Sequence, residues 1–268
     1  MNENTHVDYS VLDRPEILIR LFHPRPEIEW IEKPENSIDL LIPVEGDIVV
    51  GGRFHMAEKS SPTLLFFHGN GEIAADYDDL GQLYNRMGIN FLVVDYRGYG
   101  RSTGAPSVTA MMRDSHVIFE YVRNWLSLRE FNGAFVVMGR SLGSAPALEL
   151  SERYQKRIDG LIVESGFAYL DPLLRLLGVD TSAMDPMNED GVGNIGKIRS
   201  WNKPLLVIHA ELDHIIPFSD GRTLYDSCAS PDKTLLMIPS ANHNNILMEG
   251  ITQYMEAVRT LCERAGGG

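Results

Sequence analysis

The chain has 268 residues, of which 44% are hydrophobic and 23% charged, the balance of an ordinary globular protein. Twenty-four Lys and Arg face 37 Asp and Glu, a formal charge of −13, and so acidic a surface repels nucleic acid and anionic membranes, which excludes both as expected partners. Residues 1–268 can bury one large core, and α/β folds of about 250 residues commonly form a single unit, so one domain is expected.

The opening MNENTHVDYS has neither the basic nor the apolar stretch of a secretion signal, and no apolar run approaches the roughly 18 residues that span a bilayer. A cytoplasmic protein without a transmembrane segment is therefore expected. The first 35 residues, with Pro15, Pro24, Pro26 and Pro34, read as irregular. Ile38 to Pro43 and Ile48 to Phe54 are apolar runs separated by Val-Glu-Gly-Asp, the spacing of an antiparallel hairpin.

From residue 63 strands and helices alternate. TLLFFH (63–68), NFLVVD (90–95), AFVVMG (134–139), DGLIVES (159–165), KPLLVIHA (203–210) and TLLMIP (234–239) are continuous apolar runs, as strands buried on both faces should be. Between and after them, 76–88, 111–126, 145–156, 221–228 and 251–265 carry helical patterns, the second capped by Ser107 or Thr109. The alternation predicts a mostly parallel, doubly wound α/β sheet of about eight strands with an antiparallel start. Residues 166–202 break the rhythm and are expected to form either a small lid over the strand ends or a helix with an ordinary surface loop. Their apolar side chains (Phe167, Tyr169, Leu170, Leu173, Leu174, Leu176, Leu177, Met184, Met187) are read as helix core ahead of acyl-site lining. The terminal 265–268 is expected to fray, and Cys228 and Cys262, too few for a disulfide framework, to be free thiols.

On such sheets ligands bind at the carboxyl ends of the strands. There the sequence sets His68-Gly-Asn-Gly71, Asp95 to Ser102, Gly139-Arg-Ser-Leu-Gly143, Glu211-Leu-Asp-His214 and His243. A serine hydroxyl needs a neighbouring base to become a nucleophile. Histidine serves near neutral pH, and a carboxylate fixes its tautomer. Ser141, Asp213 and His243 supply those types in that order. The strand-turn-helix context puts Ser141 on a strained turn that Gly139 and Gly143 allow to close, with the N–H of Leu142 and that of Asn70 as oxyanion donors. Glu164 rivals Asp213 as the acid and His214 rivals His243 as the base. His68 is read as shaping the loop, Asp95, Arg97 and Ser102 as holding it, and Arg140 as either lining the pocket or pairing with an acid.

Five motifs in register, HGNG (68–71), DYRGYGRSTG (95–104), GRSLGSAPA (139–147), ELDHIIP (211–217) and ANHNN (241–245), make the chain resemble α/β-hydrolases of the serine-hydrolase type, most of all small bacterial hydrolases related to the abhydrolase-domain proteins. The resemblance implies an α/β-hydrolase fold with a small lid insertion, Ser141 as nucleophile, Asp213 as acid and His243 as base, and a cofactor-free esterase or thioesterase acting on a small acyl ester or thioester. An amidase or peptidase and a non-catalytic scaffold of the same fold are the alternatives. HAELD before the acid, where many members have HGxxD, and the first 35 residues depart from the pattern.

Two decoys are set aside. Gly191-Val-Gly-Asn-Ile-Gly196 has the glycine spacing of a dinucleotide loop but follows no strand. His209, Glu211, Asp213 and His214 match no helix-borne metal motif, so no metal is expected. Acyl length, leaving group and oligomeric state are not set by these residues.

Overall fold

The computed structural model describes residues 8–28, 33–182 and 191–267. Its centre is one eight-stranded sheet. The hairpin β1 (Ser37–Glu45) and β2 (Ile48–His55) turns at Gly46, whose φ of +51° is the left-handed conformation a tight turn needs. The other strands are β3 (Thr63–Phe67), β4 (Asn90–Val94), β5 (Phe135–Arg140), β6 (Gly160–Glu164), β7 (Leu205–Ala210) and β8 (Lys233–Ile238). The spatial order is β1-β2-β4-β3-β5-β6-β7-β8; β1, β2 and β4 pair antiparallel, and every pair from β4–β3 to β7–β8 is parallel.

Alternate residues of the central strands enter opposite layers. Leu65, Phe67, Val137, Leu161 and Val207 join one core with side chains of α1 (Pro15–Leu21), α3 (Val108–Leu128), α4 (Ser144–Arg153), α5 (Leu170–Leu176), α6 (Asn194–Arg199) and α7 (Phe218–Ser227). Leu64, Phe66, Val136, Ile162 and Leu206 join the other with α2 (Asp78–Arg86) and α8 (Ile246–Gly266). A strand buried on both faces has no polar side to show, which is why these runs read as continuously apolar. No described helix is long and apolar enough to cross a membrane.

Two local expectations are corrected, for the N-terminal segment and the C-terminal end, and two are made definite. The N-terminal segment is not wholly irregular: α1 forms there with Pro15 in its first turn, where a missing N–H costs nothing. Of the two candidate caps for α3, Ser107 is the one whose hydroxyl accepts the Ala110 N–H, at 3.1 Å. The last helix begins at Ile246 and is broken at Gly250 (φ −135°, ψ 25°), so its regular part starts where the periodicity put it. It also runs through Ala265 to Gly266 instead of fraying, because Ala265 packs against the second core.

Within 166–202, Phe167, Leu170, Leu173 and Leu174 are buried in the first core, Leu177 packs on it, and Tyr169 and Leu176 are exposed. α5 packs on α1, and α6 on α4 and α7. Met184 and Met187 lie outside the described residues. Cys228 and Cys262 are both free and buried.

Phe54 of β2 ties the hairpin to the sheet's helical cover. Its ring is fully buried, 5.5 Å from that of Trp125 and 5.4 Å from that of Phe131. Phe54→Ala is expected to lower stability by about 3–5 kcal/mol, read as a shift of the urea unfolding midpoint.

Candidate active site

The parallel strands all end on one edge, which gathers their following loops. At the end of β5 the chain turns through a single 3₁₀ turn (Ser141–Gly143) into α4. Ser141 sits at φ +52°, a region non-glycine residues avoid at a cost of order 1–3 kcal/mol. Sterics hold it there. A Cβ on Gly139 would lie 2.1 Å from the Gly143 carbonyl oxygen, and one on Gly143 would lie 2.1 Å from that of Phe67. No side chain fits at either glycine, so α4 starts hard against β3 and lifts Ser141 to the sheet edge.

The loops after β7 and β8 bring two partners to it. His243 Nε2 lies 3.0 Å from Ser141 Oγ, and His243 Nδ1 lies 2.7 Å from Asp213 Oδ2. All three residues are buried. Asp213 Oδ1 accepts the N–H groups of Ile215 (3.0 Å) and Ile216 (2.9 Å). Burial works against the Asp213 charge, but the His243 bond and these N–H groups outweigh it and hold its carboxyl below the usual range. An ionised carboxylate only accepts, so Nδ1 carries the imidazole proton and Nε2 is left free to accept from Ser141.

Asn70 follows β3 and is half-buried. Its side-chain oxygen accepts from the His23 N–H and the Tyr99 hydroxyl, both at 2.8 Å, and its amide nitrogen lies 2.7 Å from His23 Nδ1. Leu142, next to Ser141 in the turn, is buried. The rivals stand apart from this cluster. Glu164 faces Arg140 and Tyr254, and His214 is exposed. His209, Glu211 and Asp213 do not converge on one point: His209 Nε2 donates to the Ile216 carbonyl (2.8 Å), Glu211 accepts the Ser240 N–H (2.8 Å), and Asp213 faces His243. In the 191–196 stretch, α6 starts at Asn194 after two left-handed glycines.

A family model described as Hydrolase_4, serine aminopeptidase S33, matches residues 58–183, which hold Ser141 but neither Asp213 nor His243. Human alpha/beta hydrolase domain-containing protein 17B is 31% identical over 201 residues, 74% of this chain and 65% of that protein. The lysophosphatidylserine lipase ABHD12 of Xenopus tropicalis is 32% identical over 249 residues, 87% of this chain and 60% of that protein. The chain thus spans somewhat less than two thirds of the length of these relatives. A crystal structure of the Pyrococcus furiosus esterase Pf2001 overlays with a TM-score of 0.72 at 18% identity, covering 92% of this chain and 98% of that one. The chain is a member of the α/β-hydrolase superfamily.

In this α/β-hydrolase several supporting residues take the parts their positions suggested. His68 is fully buried, with Nδ1 2.8 Å from the Gly69 carbonyl and its ring 4.6 Å from that of Tyr96. Asp95 accepts the Ala74 N–H (2.8 Å), Arg97 binds Asp114 through two nitrogens (2.6 and 2.8 Å), and Ser102 accepts the Gly51 N–H (2.8 Å). Of the two readings of Arg140, the acid pair is the observed one: its guanidinium meets Glu72 and Glu164.

Sequence reasoning missed the N-terminal strap. His23 holds Asn70, Arg25 Nε donates to the Gly71 carbonyl at 2.8 Å, and the Arg25 guanidinium pairs with Asp76. No short-range pattern signals contacts between residues 46 to 51 positions apart. Glu72 was also missed, although an acid three residues after Gly69, where it accepts the Gly69 N–H at 2.6 Å, is the one local signal available.

Gly143→Ala is expected to destabilise the fold by about 3 kcal/mol or more, because the obstructing atom is a backbone carbonyl. Gly196→Ala, on exposed helical backbone with nothing within 4 Å, serves as the control and should be neutral or gain about 0.5–1 kcal/mol; both are read by urea unfolding. The depressed Asp213 carboxyl makes a second prediction. The unfolded chain takes up that proton first, so the contribution of Asp213 is whole above about pH 4 and is lost as pH falls further. The stability difference between wild type and Asp213→Asn should therefore change between pH 5 and pH 3, against the wild type at the acid end, by urea midpoints at roughly half-unit steps.

Proposed function

We propose that the chain is a serine hydrolase that cleaves carboxylic esters, with thioesters as the next class, through an acyl-enzyme on Ser141. The observation that carries this reading is the buried relay Ser141–His243–Asp213, with contacts of 3.0 and 2.7 Å, on a serine at φ +52°. His243 Nε2 takes the hydroxyl proton as Ser141 Oγ bonds to the acyl carbon. The carbonyl oxygen becomes an oxyanion, received by the N–H groups of Leu142 and Asn70. When the intermediate collapses, the bond to the alcohol or thiol breaks and His243 returns the proton to that leaving group. A water then gives a proton to Nε2 and bonds to the acyl carbon; as that intermediate collapses, the bond to Ser141 Oγ breaks, Nε2 returns the proton to Oγ, and the acid is released. Asp213 holds the imidazole in the required tautomer and faces the imidazolium charge throughout. No step calls for a metal or a cofactor.

The names of similar proteins support the ester class: one relative is a lysophosphatidylserine lipase and one structural neighbour an esterase. The aminopeptidase description of the matching family model keeps amides in the comparison. A substrate panel of p-nitrophenyl esters, thioesters and amides over a range of acyl lengths separates these classes. Ser141→Ala is expected to lower kcat by about 10³-fold or more and to abolish fluorophosphonate labelling, with the urea midpoint little changed. Equal labelling of wild type and variant would remove Ser141 as nucleophile. A wild type without turnover or burst on the whole panel would point to a binding scaffold of the same fold.

A further inference from the structure

Arg140 is the last residue of β5 and stands directly before Ser141, yet its side chain points away from the relay into a buried polar cluster. Nη1 pairs with Glu72, Nε donates to Glu164 Oε1 at 3.1 Å, and Nη2 donates to the backbone carbonyl of His243 at 2.7 Å. The two carboxylates are each engaged again. Glu72 Oε2 accepts the Gly69 N–H and the Tyr77 hydroxyl, both at 2.6 Å, and Glu164 Oε2 accepts the Tyr254 hydroxyl of α8 at 2.7 Å. Arg140 and Glu164 are also register partners across β5 and β6. From the end of β5, one guanidinium thus joins the loop after β3, the end of β6 and the loop after β8. Gly69 lies against this pair: a Cβ there would be 2.6 Å from Arg140 Nη1 and 2.8 Å from Glu72 Oε2, so any side chain at 69 would displace one of them.

Two of these contacts end on the backbone of catalytic loops, at the His243 carbonyl and the Gly69 N–H. The His243 carbonyl fixes where the imidazole starts, and the Gly69 N–H fixes the loop that continues into Asn70. We propose that Arg140 is a positioning residue: through Glu72 and the His243 carbonyl it sets the spacing between base, nucleophile and the Asn70 loop. The proposal rests on the hydrolase reading above for its kinetic consequence, though the geometry it concerns does not. A planar fork with several fixed donors can meet three acceptors in three directions; a single ammonium cannot. A carboxylate on either side keeps the buried charge compensated.

Arg140→Lys retains the charge and removes the fork. Its kcat on a p-nitrophenyl ester, per folded protein, is expected to fall on the order of 100-fold while KM moves less than about threefold, because a small misplacement of a catalytic group costs that much. The low-field proton resonance of His243 Nδ1–H, identified by its loss in His243→Ala, is expected to shift or broaden in Arg140→Lys. A variant that is less stable to urea but keeps wild-type kcat and an unchanged His243 resonance would show Arg140 to be a structural tie only. Should Arg140→Lys not fold, Glu72→Gln leaves one acceptor oxygen where the carboxylate has two, which weakens the branch to the Asn70 loop together with the Tyr77 contact and leaves the His243 and Glu164 branches in place. It is expected to lose roughly tenfold in kcat with the His243 resonance retained, and unchanged kcat there would overturn the proposal. If the wild type turns over no ester, thioester or amide of the panel, the hydrolase reading fails, and the proton resonance in Arg140→Lys alone decides whether Arg140 positions His243.

Discussion

Between residues 139 and 143 the chain turns so tightly that neither end of the turn tolerates a Cβ, one end blocked by the other's carbonyl and the second by the carbonyl of Phe67. That close approach of α4 to β3 sets much else. It holds Ser141 at positive φ, starts α4 against the middle of the sheet, and fixes the hydroxyl at the edge where the other parallel strands also end. The strain is borne by a region with every surrounding residue buried, so the local cost of an unfavourable backbone is offset by packing that an open turn would lack.

At that turn and elsewhere in the fold, buried arginines are held by carboxylates. Arg140 lies between Glu72 and Glu164, Arg53 between Glu27, Asp39 and Asp78, and Arg97 against Asp114 and Glu45. An unpaired buried charge costs several kcal/mol, so each of these arginines restricts the loops it joins to the arrangements that satisfy it. In a molecule with 37 acidic and 24 basic residues, buried guanidinium groups are well supplied with partners. His209 shows the neutral counterpart beneath Asp213. Burial lowers its proton affinity, Nε2 donates to the Ile216 carbonyl, and Gly221 leaves room for the ring where a Cβ would lie 2.3 Å from Nδ1. The HAELD departure keeps this histidine and its packing.

The N-terminal segment supplies a strap that tertiary contact alone makes intelligible. Residues 22–27 run beside the loops after β3 and β4, with His23 on Asn70, Arg25 on Gly71, and Gly100 exchanging backbone hydrogen bonds with Arg25 and Glu27. Prolines at 24 and 26 keep the strap extended, the property that made the segment read as irregular. The helix before it was hidden for a similar reason: Pro15, a breaker inside a helix, is a starter at its first position. In the same way the apolar side chains of 166–176 carried no period that distinguished a lid from core. Burial of Phe167, Leu170, Leu173 and Leu174 against the sheet, and exposure of Tyr169 and Leu176, came from which neighbours the fold supplied.

The sequence by itself determined the alternation of strands and helices, the antiparallel start, and the strand-end positions of Ser141, Asp213 and His243, because each of these is written in local signals: apolar runs five or six residues long, glycines where a turn closes, chemistry just past a strand. Only the tertiary structure decided which of Asp213 and Glu164 meets His243, that Arg140 is occupied by two acids and a carbonyl, and that residues 22–27 brace the Asn70 loop. Those choices join residues 24 to 103 positions apart, and no period or short motif spans such distances. They are made when the sheet brings strand ends together and buried charges take the partners within reach.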